Sequence, residues 1–277
     1  MIAQLGCADR LVGRSAECQF PPEVRNLPVV TAARVDTSAM AGAEIDAAVR
    51  RAVLDGRSLY ALDEALIRRL QPDLIVTQDL CRVCAVSAEQ VRVQELDVDT
   101  LSLDPRTIDE VAASVGVLAH RVGVTEAGDE LAGDMQRRIR DVRAAVAGLP
   151  RPRVFVAEWL DPPFAAGHWV PEMVEAAGGV EVLGLAGRPS RPVTWDDVAA
   201  ARPDIVIAAP CGYAAERAAA EAAGAPGPGC PVVAVHADAY YSRPAPRLAE
   251  GIQQLAHILH PQAVPDPGLP EIRLQPA

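Results

Sequence analysis

Six cysteines in 277 residues are the side chains of this sequence best suited to chemistry, and four of them follow or flank short apolar runs. Cys81 and Cys84 form a C-x-x-C, while Cys18 and Cys211 stand alone. Thiolates at about 2.3 Å suit zinc, copper(I) or the iron of a cluster. Cys81, Cys84 and Cys211, with Cys18 or His168 as fourth ligand, are therefore a candidate set for Cys-bound zinc or an iron–sulfur cluster. The spacing supports this only in part, because a second C-x-x-C is missing. Two plainer readings stand beside it: buried thiols, since cysteine is among the most buried residue types, and a redox dithiol at a helix start.

A second group is built of rings. His168, in AAGHWVPEM, offers imidazole to a cobalt or iron centre, or else is a hydrogen-bonded loop residue. Trp159, Phe164 and Trp169 lie close to it in sequence, as rings that stack on a planar macrocycle or that cap a core. His236, Tyr240, Tyr241 and Arg243 follow a later apolar run and are placed at the mouth of the same site. Glu17, Glu158, Asp161 and Glu172 are carboxylates at loop starts, where solvation is the commoner fate; Glu17 and Glu158 are kept as ligand-facing candidates. No G-x-S-x-G elbow, Walker loop, H-E-x-x-H or strand-following G-x-G-x-x-G occurs. An enzyme reading therefore lacks a catalytic constellation.

The elements that must position these groups are legible as periodicity. LVGRS (11–15), DLIVTQ (73–78), RVFVAEW (153–159), DIVIAAP (204–210) and VVAVH (232–236) read as strands. Helices are predicted near 43–54, 59–70, 170–177, 214–223 and 247–259. The proline-free stretch 107–147 reads as one long helix, or two with a bend near Gly123 to Gly128, opened by a Thr107/Glu110 capping box. The pattern predicts an α/β fold: an N-terminal lobe over 1–105, a linker helix over 106–149, and a C-terminal lobe over 150–277 with a closing helix and a loose tail. IRRLQPDLIVTQD (67–79) and VAAARPDIVIAAP (198–210) repeat one pattern, a weak internal duplication. In open α/β sheets ligands bind outside the carboxyl ends of the strands. Cys18, Cys81, Cys84, Glu158, Trp159, Cys211 and His236 all fall at such exits.

Composition narrows the function classes. With 26 arginines, no lysine and 37 acidic residues, the net charge is −11, which argues against a nucleic-acid partner. No run of about 18 apolar residues occurs, so no spanning helix is expected. The N-terminus lacks the basic start, apolar core and cleavage site of a leader. As written, the protein is expected in the cytoplasm with reduced thiols; a start further upstream would make it extracytoplasmic.

The GRSxEC turn, the run SLYALDEALIRRLQPDLIVTQDLCRVCA, the segment EWLDPPFAAGHWVPEMVEAAGG and YYSRPAPRLAEGIQQLA together resemble the cobalamin and iron-siderophore class of substrate-binding proteins of ABC transporters. The likeness runs from Leu11 to about Leu259 and is nearest to the vitamin B12 binders and their leaderless, cysteine-bearing cousins. It implies two Rossmann-like lobes joined by a rigid helix, the class III arrangement, with a cobalamin-like corrinoid or related metal-bearing molecule held between them. An ABC transporter would be the partner if the protein is exported. It also implies a strand and a PSATE-like turn ahead of Met1, so part of the N-terminal sheet is expected to be missing. The alternative is an intracellular cysteine-ligated metal or iron–sulfur protein that reuses the receptor fold.

Overall fold

The computed structural model describes residues 1–37, 39–55, 57–78, 98–226 and 229–274. Cys81 and Cys84 lie outside the described residues. The chain divides into two compact units, Met1–Asp104 with Leu118–Gly128, and Pro105–Val117 with Asp129–Ala277.

In the first unit, β1 (Thr31–Ala33) is followed by α1 (Gly42–Leu54), β2 (Tyr60–Leu62), α2 (Glu64–Leu70), β3 (Leu74–Thr77) and β4 (Asp99–Ser102). β1 pairs antiparallel with β2, and β3 pairs parallel with β4. Ile67 of α2 is buried against Val30, Leu62, Ile75 and Val98, which ties the helix to both ladders. The helix expected over 59–70 is shorter because Asp63 stops it: the Leu66 N–H donates to its carboxylate at 2.9 Å, an N-cap that leaves Tyr60–Leu62 free to pair as a strand. LVGRS does not form a strand either. It makes one parallel bridge, Arg14 to Val29, and the Arg14 guanidinium donates to the carbonyls of Ser15, Ala16 and Cys18 at 3.1 to 3.2 Å. That side chain organises the turn carrying Glu17 and Cys18.

The long stretch is two helices, α3 (Ile108–Arg121) and α4 (Thr125–Ala145), broken where Gly123 takes φ +75°. The Glu110 N–H donates to Thr107 Oγ1 at 3.1 Å, while the Glu110 carboxylate accepts from Arg106 N–H at 2.6 Å, so the box closes one residue earlier than its pattern suggests. A further cap comes from afar: Glu172 Oε2 accepts the Ile108 N–H at 2.7 Å. Glu172 is a structural cap for α3, satisfying one of the donors every helix start leaves open.

The second unit carries a seven-stranded sheet of order β11-β10-β9-β5-β6-β8, with β7 also on β5. Its strands are β5 (Arg153–Leu160), β6 (Pro163–Ala165), β7 (Val180–Glu181), β8 (Arg191–Pro192), β9 (Ile205–Ala208), β10 (Val232–Val235) and β11 (Glu271–Leu274). The helices are α5 (Val170–Ala176), α6 (Trp195–Ala201), α7 (Ala215–Ala222), α8 (Ala237–Tyr240) and α9 (Leu248–Leu259). β7, β5, β9 and β10 are parallel neighbours. Val154, Phe155, Val156, Val206, Ile207 and Ala208 are wholly buried, as near-continuous apolar strands covered on both faces must be.

The proline-rich end is not a loose tail. β11 pairs antiparallel with β10 along Val232 to Val235, and Val264 is buried. The buried Gln254 amide of α9 donates to Leu269 and Pro270 carbonyls at 3.4 and 3.2 Å. Pairing and side-chain bonds, neither visible in composition, hold this segment.

The internal duplication extends to backbone detail. α2 and α6 both end on a non-glycine residue in the left-handed region, Gln71 (φ 48°) and Arg202 (φ 47°), then run Pro-Asp into a parallel strand. Each begins with a side-chain cap, Asp63 or Thr194.

Candidate functional site at the strand exits

Strand order fixes where a ligand site is favoured in the second unit. From β5 the chain crosses through α5 to β7 on one side, then returns through α6 to β9 on the other. The carboxyl ends of β5 and β9 therefore flank a topological switch point, where the flanking connections diverge and leave a crevice.

The residues at this point are Glu158 and Trp159 from β5 and Cys211 to Tyr213 after β9. A bulge between Ala157 and Trp159 interrupts the β5–β6 ladder, which re-aims Glu158. The Glu158 carboxylate accepts the Gly167 N–H at 3.1 Å, and its carbonyl accepts the Cys211 N–H at 3.1 Å. Trp159 is half-buried, donates its indole N–H to the Asp161 carbonyl at 3.1 Å, and meets Tyr213 edge to face with centroids 5.3 Å apart. Phe164 of β6 is the cross-strand partner of Trp159 and pairs on its other side with Pro192, so flat side chains line up across β5, β6 and β8. Beyond Tyr213 the Arg217 guanidinium lies 4.0 Å over the phenol ring, and the Tyr213 hydroxyl donates to Glu221 at 2.9 Å. Burial first, then that bond, holds the Tyr213 phenol well above its ordinary range.

At the neighbouring exit of β10, His236 faces Tyr240 at 6.0 Å, and Arg247 lies 4.3 Å over the Tyr240 ring. Two ring-and-guanidinium pairs thus stand at adjacent strand ends. Arg243 donates through Nε to the Asp238 carboxylate at 3.0 Å and carbonyl at 3.1 Å, which fixes the turn after β10. Cation–π contact of this kind is worth about 0.5–1 kcal/mol when exposed and more when desolvated.

His168 is half-buried with φ +51°, a conformation unusual for a residue bearing a Cβ. Burial, and secondarily the Arg106 charge, lowers its pKa, so the imidazole is neutral near pH 7 and has a ring nitrogen available as acceptor or ligand.

Other candidate residues lie elsewhere. Trp169 is 3% exposed and donates its indole N–H to the Tyr241 carbonyl at 2.7 Å; Tyr241 is 1% exposed, with its hydroxyl on Gln254 at 2.9 Å. Both are core residues, the fate weighed against stacking for the Trp169 ring. Glu17 and the exposed Cys18 belong to the first unit, whereas the half-buried Cys211 belongs to the second. Among the described residues no group of three or more His, Cys, Asp and Glu side chains converges as a metal site. Tyr213 and Arg217 carry no mark in the sequence, and Arg247 reads there only as the start of the last helix, which it caps. Tyr213 was within reach of the strand-exit rule, two residues beyond Cys211; the arginines were not, because a helical position gives no sign of which ring a long side chain will cover.

Comparison with known proteins agrees with this architecture. A vitamin B12-binding protein of Vibrio cholerae is 26% identical over 204 residues, 70% of each chain. A periplasmic heme-binding protein of Pseudomonas aeruginosa superposes with a TM-score of 0.73 at 18% identity, covering 100% of this chain and 95% of that one. The crystal structure of the periplasmic vitamin B12-binding protein of Vibrio cholerae gives 0.63 at 22% identity, over 93% and 91%. No helix among the described residues is long and apolar enough to cross a membrane. The family described as periplasmic binding protein matches residues 1–220, and with the parallel sheet and its switch point in place, the chain belongs to that family.

Proposed function

We propose that the protein is a small-molecule binding component that takes up a flat, metal-bearing macrocycle, a cobalamin-like corrinoid or a related tetrapyrrole, against the strand-exit face of its second unit. The observation that carries this reading is the half-buried Trp159 ring at the β5/β9 switch point, backed edge to face by the buried Tyr213 and with the half-buried Phe164 as its cross-strand partner. Aromatic faces at a crevice are what an extended planar ligand stacks on. The relatives named for vitamin B12 or heme add to it. Delivery to an ABC transporter is the corresponding partner proposal, in keeping with a structural neighbour described as an ABC transporter substrate-binding protein of Listeria monocytogenes.

The test is a titration of purified protein with cyanocobalamin, dicyanocobinamide and hemin, followed by visible absorption and calorimetry. Saturable binding at micromolar concentration by one of them is expected, with Trp159→Ala weakening it at least tenfold. Absence of heat and spectral change for all three overturns the reading.

A further inference from the structure

Three consecutive residues before α5 are fastened to three different parts of the second unit. The Gly167 N–H donates to the Glu158 carboxylate of β5 at 3.1 Å. His168 is tied to the segment between β7 and β8, its N–H donating to the Arg188 carbonyl at 2.6 Å and its carbonyl accepting the Gly187 N–H at 2.9 Å. The Trp169 indole N–H reaches the Tyr241 carbonyl, in the turn after α8, at 2.7 Å. There is no slack at the first of these points: a Cβ on Gly167 would stand 2.3 Å from Ser190 N and 2.5 Å from the Arg188 carbonyl oxygen. The same short stretch holds His168 at φ +51°, a conformation that the attachments on either side must maintain.

Of these attachments, the one from Glu158 runs to the strand that carries Trp159. The β5–β6 register shifts between Ala157 and Trp159, so the side chain between them leaves the alternation of the ladder and is spent on the Gly167 backbone. The Glu158 carbonyl accepts the Cys211 N–H at 3.1 Å, and Tyr213, two residues on, backs the Trp159 ring edge to face with centroids 5.3 Å apart. One residue thus joins the His168 loop, the stacking ring and the turn after β9. The main-chain bond is open to any residue at this position. The bond to Gly167 needs an acceptor oxygen at the reach of a glutamate side chain.

We propose that Glu158 is a positioning residue: its carboxylate holds the His168 loop in a fixed relation to the Trp159 ring before a ligand arrives, and it acts through reach rather than through charge. Its effect on ligand capture rests on the reading that a macrocycle stacks on Trp159. A loop that is already ordered does not have to be ordered on binding, and affinity rises by the cost avoided.

Two substitutions separate reach from charge. Glu158→Asp keeps the charge but draws the carboxylate back by one C–C bond, about 1.5 Å, out of hydrogen-bond distance of the Gly167 N–H. Glu158→Gln loses the charge and keeps an acceptor oxygen at the original reach. Both variants and the wild type are titrated with cyanocobalamin, dicyanocobinamide and hemin, and amide hydrogen exchange of Gly167 is measured by NMR in ligand-free protein. Glu158→Asp is expected to weaken binding by about fivefold and to speed Gly167 exchange by about tenfold, while Glu158→Gln stays within about twofold of wild type on both. Losses in the reverse order mark a charge effect or a direct ligand contact and overturn the proposal, as do equal losses in the two variants or wild-type binding by Glu158→Asp. If the wild type binds none of the three probes while Gly167 exchange follows the expected order, the macrocycle reading fails and the fixing of the loop stands. Exchange that ignores both substitutions overturns it, with or without a ligand.

Discussion

Trp159 and Trp169 flank the same hairpin and loop and meet opposite fates. Trp169 is enclosed and bonded to the Tyr241 carbonyl, so Trp169→Ala should cost about 3–5 kcal/mol in urea unfolding. Trp159 is half-exposed at the switch point, and Trp159→Ala should cost about 1 kcal/mol while removing most ligand-induced fluorescence quenching. Equal stability losses for the two would contradict the placement. Tyr241→Phe leaves the Gln254 carbonyl oxygen without its hydroxyl donor in the core, a loss of about 1–3 kcal/mol. His168 supplies a pH test with a defined sign. Its folded pKa lies below the ordinary 6.5, so its contribution to stability is complete above that value and is lost as pH falls through the folded pKa. An NMR titration midpoint below 6.5 is expected, moving upward in Arg106→Ala. Residue types alone named Trp159, Trp169, His168 and Tyr241 as one set. What separates them is burial, which depends on the partner each ring meets, and the sequence carries no record of that.

Among the elements, α2 and α6 show how much was legible and where reading stopped. The shared Pro-Asp-strand exit was visible in the sequence, but not that Gln71 and Arg202 enter the left-handed region, because neither is the glycine or asparagine that marks such a cap. Gln71→Gly and Arg202→Gly should each raise stability by about 0.5–1 kcal/mol by relieving that conformation, a gain read as a higher Tm. Thr194→Ala, which removes the bond from Asp197 N–H at 3.1 Å, should lower it by about 1 kcal/mol. β5, β9, β10 and α9 were readable because they are long or wholly apolar. LVGRS was misread as a strand because its apolar residues stop short of a ladder; its register is set by Arg14, whose bonds to three carbonyls depend on a turn not yet formed in the linear sequence.

For the second unit as a whole, the decisive feature outside the site is the edge strand β11. Without it, the apolar run Val232–Val235 of β10 would present an unpaired row of backbone donors and acceptors, a template for pairing with another chain. Truncation after Pro265 should therefore lower the melting temperature and produce dimers and larger species in size-exclusion chromatography. A truncated chain that stays monomeric with unchanged melting would show that β11 is dispensable. Overall charge adds to the same protection, since a net −11 keeps copies apart in solution at low salt.

β11 also settles where a handle can be fastened. Its register sets Glu271 beside Val235, at the rim formed by the carboxyl ends of the parallel strands, where the proposed site lies, and Leu274 beside Val232, at the opposite rim. A dye, a biotin or a surface tether fastened at position 274 would accordingly stand at the rear of this unit, away from the Trp159 ring, in immobilised capture assays.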